Sequence, residues 1–200
     1  MVKAPCFVRG THVRTPEGEV RVEDLAIGQP ISTLSGAAQP VNWVGRRAYD
    51  PRFLAANLEA LPILIRQGAL GDGTPRRDLY VSEHHALLLD GWLVEAGLVE
   101  NGRSIQRLRR WSGPLEYFHI ELERHDVIFA EGATAETYLD CGNREAFQNA
   151  DSFRRLHPAF QITDQQEWAG RLVRGPALDA IRARLVQRAI VSVPDVGLAS

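Results

Sequence analysis

A cysteine stands sixth in this chain, heading the run Cys6-Phe7-Val8-Arg9-Gly10-Thr11-His12-Val13-Arg14-Thr15-Pro16, which continues through Glu17, Gly18 and Val20 to Gly28. A thiol so placed has the carbonyl just upstream, that of Pro5, within reach, and it can act on the chain that carries it. Three further stretches hold side chains suited to proton transfer or nucleophilic work. They are Val81-Ser82-Glu83-His84-His85-Ala86-Leu87, then Tyr117-Phe118-His119 running on to His125-Asp126-Val127, then Glu131 to Arg144, which contains Cys141. Turning a peptide bond into a thioester is uphill, because amide resonance is lost. The cysteine must therefore attack as a thiolate or beside a base. The departing amide nitrogen must be protonated, a task suited to histidine. The bond must be distorted, or its developing oxyanion held by donors.

The order and spacing of these stretches resemble the Hint (hedgehog/intein) autoprocessing family from Cys6 to Arg144. In that family a cysteine heads a Gly-Thr-x-(Val/Ile)-x-Thr-Pro-x-Gly block, and a (Thr/Ser)-x-x-His block follows. A hydrophobic block with histidine or aspartate then leads into an (Ala)-x-Gly turn. Here Gly10 to Gly18, Ser82-x-x-His85 and Phe118 to Gly132 stand in those places, and the ending Glu136-Thr137-Tyr138-Leu139-Asp140 is similar to the bacterial hedgehog/intein-like subgroup. The resemblance implies an all-β, horseshoe-like Hint fold of many short strands. It implies Cys6 as nucleophile, His85 as proton donor to the Cys6 amide nitrogen, and Ser82 as the group that orients or polarises the Pro5-Cys6 bond. It also implies a second step in which a residue of the third block activates an external nucleophile, with His119 the first candidate and His125 and Asp126 the next. The substrate is then the domain's own N-terminal flanking peptide. No cofactor and no metal is implied.

Splicing of the intein kind needs an asparagine that cyclises, usually after histidine and before cysteine, serine or threonine. Asn42, Asn57, Asn101, Asn143 and Asn149 all lack that setting. Cleavage or acyl transfer at the N-terminal side is what remains: an N-to-S shift at Pro5-Cys6, acting in cis, followed by thioester hydrolysis or transfer. Only Met1 to Pro5 precede Cys6, so cleavage releases a pentapeptide unless the natural chain is longer upstream. Two alternatives stay open: a catalytically silent module of the same fold used for binding or structure, and a Cys-His hydrolase acting in trans. Ordinary readings also compete residue by residue. His84 and His119 can be solvent-facing strand residues, His12 a surface residue, and Cys141 a buried small hydrophobe. A zinc site built from His12, His84, His85, His119, His125 and Cys6 has no tight ligand spacing beyond the His84-His85 pair.

The elements that must position these residues read mainly as strands. Val13 and Thr15 face Val20 and Val22 across Pro16-Glu17-Gly18, a hairpin pattern. Ile31 to Leu34 and Val41 to Val44 repeat it, and Asp90-Gly91 marks a tight turn between Leu87-Leu88-Leu89 and Trp92-Leu93-Val94. Phe118, Ile120 and Leu122 alternate with His119, Glu121 and Glu123, and Val127 to Phe129 reads as a buried strand. Ala55 to Leu64 is expected as a short helix. Many short strands with polar turns argue for an all-β domain over residues 1–150. Residues 151–200 read as a helical extension: Thr163 and Gln166 form a capping box, and Pro176 opens a helix with Leu178, Ile181, Leu185 and Ala189 as its apolar stripe. Over 200 residues the chain is 44% hydrophobic with a formal net charge of −2, enough for a core and without a nucleic-acid footprint. No apolar run suits a membrane span, and no signal peptide opens the chain. Two cysteines allow one long-range disulfide but no secreted framework. The expected location is the cytoplasm, unless a longer precursor is exported.

Overall fold

In the computed structural model, residues 5–71, 73–159 and 167–192 are described. Along the chain run β1 (Phe7–Val8), β2 (His12–Thr15), β3 (Gly18–Arg21), β4 (Pro30–Ile31), β5 (Gln39–Tyr49), α1 (Pro51–Ala56), β6 (Ile63–Ile65) and β7 (Leu79–Val81). They are followed by β8 (Ala86–Leu89), β9 (Trp92–Glu95), β10 (Ile105–Arg107), β11 (Leu115–Leu122), β12 (Val127–Ala130), β13 (Ala133–Glu136), α2 (Ala150–Leu156) and α3 (Pro176–Ser192). The fold is mostly β, as the short alternating runs require.

Turn chemistry sets the hairpins. Between β2 and β3 the Thr15 hydroxyl donates to the Gly18 carbonyl at 2.9 Å, with Val13 opposite Val20. Asp90 and Gly91 join β8 to β9 with φ of 50° and 84°, both in the left-handed region that matches the strands' right-handed twist. The β4–β5 hairpin is lopsided: only Pro30 and Ile31 pair, whereas β5 runs eleven residues. The length of β5 comes from its other edge, which carries all of β11 from Leu115↔Tyr49 to Leu122↔Val41. The helix expected over Ala55 to Leu64 is displaced. Asp50 caps α1 by accepting from the Arg52 amide at 2.8 Å, a 3-10 turn follows at Leu58–Ala60, and β6 begins three residues later. Pro62 forces Leu61 into extended backbone and so closes the helical stretch.

All ladders between these strands are antiparallel, in a sheet of order β10-β6-β7-β1-β11-β5-β4 and another of order β3-β2-β12-β13-β8-β9. The main core, between the sheets, holds Phe7, Val13, Ile63, Val81, Leu87, Phe118, Ile120 and Ile128. A second apolar cluster covers the other side of β5 and β11 with Trp43, Tyr117, Tyr138, Phe147 and Phe153. The alternating residues of β11 are therefore buried on both faces, and His119 and Glu121 are not solvent-facing. Glu121 is held by Arg144, whose guanidinium lies 3.4 Å from the Phe153 ring centre and donates to Glu121 at 3.1 Å. In α3 the stripe Leu178, Ile181, Leu185 and Ala189 is buried, and the first three of these join the main core. The Thr163–Gln166 capping box lies outside the described residues. Among the described residues no helix is long and apolar enough to cross a membrane.

Gly45 lies opposite His119 in the β5–β11 ladder, and a Cβ there would stand 2.7 Å from both the Phe147 and Trp43 rings. The bare backbone lets these aromatics seat against the strand that carries His119. Gly45→Ala is expected to destabilise the protein by about 1–3 kcal/mol, the usual cost of overpacking a filled core. Urea unfolding followed by tryptophan fluorescence reads the shift, and an unchanged midpoint would refute it.

Candidate active site

The strand order does what the sequence spacing cannot. β1 is inserted between β7 and β11, with Phe7 opposite both Val81 and Phe118. Residues from three distant stretches are thereby neighbours. Just past the end of β7 the Ser82 amide donates to the Cys6 carbonyl at 2.9 Å, and the Cys6 amide donates to Ser82 Oγ at 2.8 Å. Ser82-x-x-His85 is a β-turn in which the His85 amide donates to the Ser82 carbonyl at 3.1 Å, which is why three positions separate the two candidates. The turn brings the His85 ring back over Phe7, 4.1 Å between centres. His119, next to Phe118 in β11, sets its ring edge-on to His85 at 5.0 Å and to Tyr138 at 5.4 Å. The structure thus gathers Cys6, Ser82, His85 and His119 around the start of one central strand.

Burial governs their charge. Cys6, His85 and His119 are all buried. Burial pushes the Cys6 thiol well above its ordinary value, opposed only by the Arg47 cation. Burial lowers His85 to about 4, although the Glu136 charge and the backbones of Glu136 and Cys6 favour a proton on it. His119 is held well below the usual histidine range by burial and then by His85. The His119 ring nitrogens have no hydrogen-bond partner among the described residues.

Glu136 is the residue that sequence reasoning missed. At the end of β13 it is buried, accepts from the Ala86 amide at 2.9 Å and from Arg171 Nη2 at 2.6 Å, and lies 3.8 Å from His125 Nε2. Burial alone would raise its pKa, but His125, His85 and Arg171 outweigh burial and hold it at about 2. Its one signal in the sequence is an acidic residue closing an otherwise apolar strand. Arg171 carries no signal at all, since only the return of the chain toward β9, with the Leu172 amide donating to the Leu93 carbonyl at 2.9 Å, brings it there.

The other candidates are placed differently from one another. The His125 side chain is buried behind Glu136, and its Nδ1 accepts from the Trp168 amide at 3.0 Å. Asp126 serves the framework: its carboxylate accepts from Ser35 Oγ at 2.6 Å, Gln39 Nε2 at 2.8 Å and the Val127 amide at 2.7 Å, tying the loop after β4 to β12. His12 is more than a surface residue, because its ring is 2.9 Å from Glu131 and 29% exposed. His84 faces solvent only in part and sits 2.7 Å from Glu95. Cys141 is exposed, contrary to its expected burial, and no disulfide joins it to Cys6. Among the described residues no group of three or more His, Cys, Asp or Glu is arranged to hold a metal. A pocket of about 80 Å³ adjoins Cys6, walled by Tyr49, Phe53, Ala60 and Tyr117. A wider cleft of about 640 Å³ adjoins Pro5 and is lined by Glu95, Glu136, Cys141 and Arg171.

A family model described as the Hint domain matches residues 5–142. Among solved structures, the gp41-1 intein is 16% identical, with 66% of this chain and 98% of that one covered and a TM-score of 0.48. A bacterial intein-like domain from Clostridium thermocellum is 13% identical, with 66% and 98% covered and a TM-score of 0.46. The Ssp DnaB mini-intein variant M86 is 11% identical, with 70% and 99% covered and a TM-score of 0.46. No curated protein matches the chain.

The buried neutral His85 makes the fold sensitive to acid. An unfolded histidine takes up its proton near pH 6.5, whereas folded His85 does so only near about 4. Between those values the unfolded chain binds the extra proton. Stability is therefore complete above pH 6.5 and is lost as pH falls toward 4, by up to about 3 kcal/mol from this residue. Denaturant midpoints measured from pH 7 to 4 are expected to fall, with a shallower slope in His85→Asn. Equal slopes in the two proteins would contradict this assignment.

Proposed function

Because this chain belongs to the Hint domain family, we propose that it is an autoprocessing domain that shifts the Pro5 acyl group from the Cys6 nitrogen to the Cys6 sulfur and then releases or transfers it. The observation that carries the reading is the two-point clamp on Cys6. Ser82 Oγ holds the N–H of the bond to be broken, and the Ser82 amide holds the carbonyl of the same residue. The nucleophile's own backbone is fixed while its side chain turns on the carbonyl next to it, which is the positioning part of the chemistry.

The shift moves one proton from Cys6 Sγ to the Cys6 nitrogen. His85 is the group suited to carry it. At neutral pH it is uncharged and free to accept, and once protonated it gives the proton up far more readily than an ordinary imidazolium because burial disfavours its charge. Glu136, ionised and close by, offsets the positive charge while it lasts. His119 packs edge-on against His85 and fixes the place of its ring. In this reading Asp126 is a framework residue and takes no part in the proton transfer.

The rival reading, a silent module of the same fold, draws on the same burial, since a thiol held protonated is a poor nucleophile. A reporter protein fused upstream of Met1 separates the two. Hydroxylamine or a small thiol is expected to cut at Pro5-Cys6, with no cutting in Cys6→Ala and a loss of about 10²–10⁴-fold in His85→Ala, the range for removing a general acid–base group. Gel mobility and intact mass identify the junction. A folded fusion that stays whole under every nucleophile overturns the acyl shift and leaves the silent module.

A further inference from the structure

We propose that His84, held by Glu95, is the general base that delivers water to the Pro5 acyl group once that group rests on Cys6. The inference rests on the acyl-shift reading and adds the residue that completes it. An acceptor arriving from solvent must be deprotonated where solvent reaches. His85 and His119 are both fully buried, so neither ring meets that need. His84 does: its side chain is 36% exposed, and it lines both the pocket at Cys6 and the cleft at Pro5. His84 is thereby shared by the linings of the two spaces, one beside Cys6 and the other beside Pro5.

The ring is also oriented for the task. His84 Nδ1 lies 2.7 Å from Glu95 Oε2, and a carboxylate there accepts the hydrogen bond of Nδ1–H, the tautomer that leaves the lone pair on Nε2. Glu95 is fixed in its turn, since it ends β9 directly opposite Ala86 in the ladder that follows the Ser82–His85 turn. Glu83 Oε2 adds a second carboxylate 3.8 Å from Nε2, and Glu83 Oε1 is 3.0 Å from Arg107 Nη2. A Cβ on Gly97 would stand 2.7 Å from Glu83 Cγ, so the glycine permits close packing of the turn that carries Glu83 and His84.

The step balances without any further reactant. Nε2 takes one proton from water while the water oxygen bonds to the acyl carbon. The carbon–sulfur bond then breaks, sulfur leaves as the Cys6 thiolate, and the imidazolium returns the proton to it. Thioester and water become carboxylic acid and free thiol.

The reporter fusion tests this with two nucleophiles in parallel. Hydroxylamine attacks thioesters without a protein base, whereas water needs one. In His84→Ala, release by water is expected to fall by about 10²-fold or more, while scission by hydroxylamine stays within about twofold of the unsubstituted fusion. Added imidazole should restore the lost hydrolysis in His84→Ala and leave the unsubstituted fusion nearly unchanged. His84→Gln, similar in size and unable to take the proton, should behave like His84→Ala. Unchanged hydrolysis, equal loss with both nucleophiles, or no response to imidazole each overturns the role of His84 while leaving the acyl shift standing. An unsubstituted fusion that hydroxylamine cannot cut overturns the acyl shift itself, and the base with it.

Discussion

The placement of one two-residue strand between two longer ones governs the rest of this molecule. Phe7 and Val8 bridge β7 and β11, and the Cys6–Ser82 hydrogen bonds extend that pairing by one residue. An unpaired backbone group in a dry interior is costly, so the ladder holds the cysteine's amide and carbonyl in place as firmly as it holds the sheet. The Ser82–His85 turn and the β11 histidine then have one place to go. Both pack on Phe7, which belongs to the core and to the site at once.

That economy has an electrostatic consequence. A site built within the core is dry, and a dry site keeps its thiol and imidazoles uncharged. The carboxylate close to the imidazoles, Glu136, is matched by Arg171 from the segment that leads to α3. The resting arrangement stores no ion on the residues that would move a proton, which suits a transfer that begins and ends inside the protein. The rim differs, since His84 and Glu95 pair there with their ring and carboxylate partly exposed.

Much of this was legible in the residue order. Period-two alternation, Asp90-Gly91 and Pro16-Glu17-Gly18 mark strands and turns, because backbone geometry near a turn depends on a few adjacent residues. Leu178, Ile181, Leu185 and Ala189 announce a helix face for the same local reason. Where packing decides, the pattern misleads. The alternation of β11 suggests one wet face, yet a second aromatic cluster covers it, and Glu121 finds Arg144 rather than water. Asp126, adjacent to a candidate histidine, turns its carboxylate to Ser35 and Gln39, 91 and 87 residues upstream in the chain.

By itself, then, the amino-acid sequence determined which groups could react and the short-range geometry around them: a cysteine with a carbonyl behind it, and a serine and histidine spaced by one β-turn. Such features depend on bonds between near neighbours, and local rules suffice to read them. Only the tertiary structure decided which groups meet, how dry the meeting place is, and that Glu136, Arg171 and Glu95 belong to it. Those outcomes depend on strand order and on the exclusion of water, and both arise when distant segments compete for the same core.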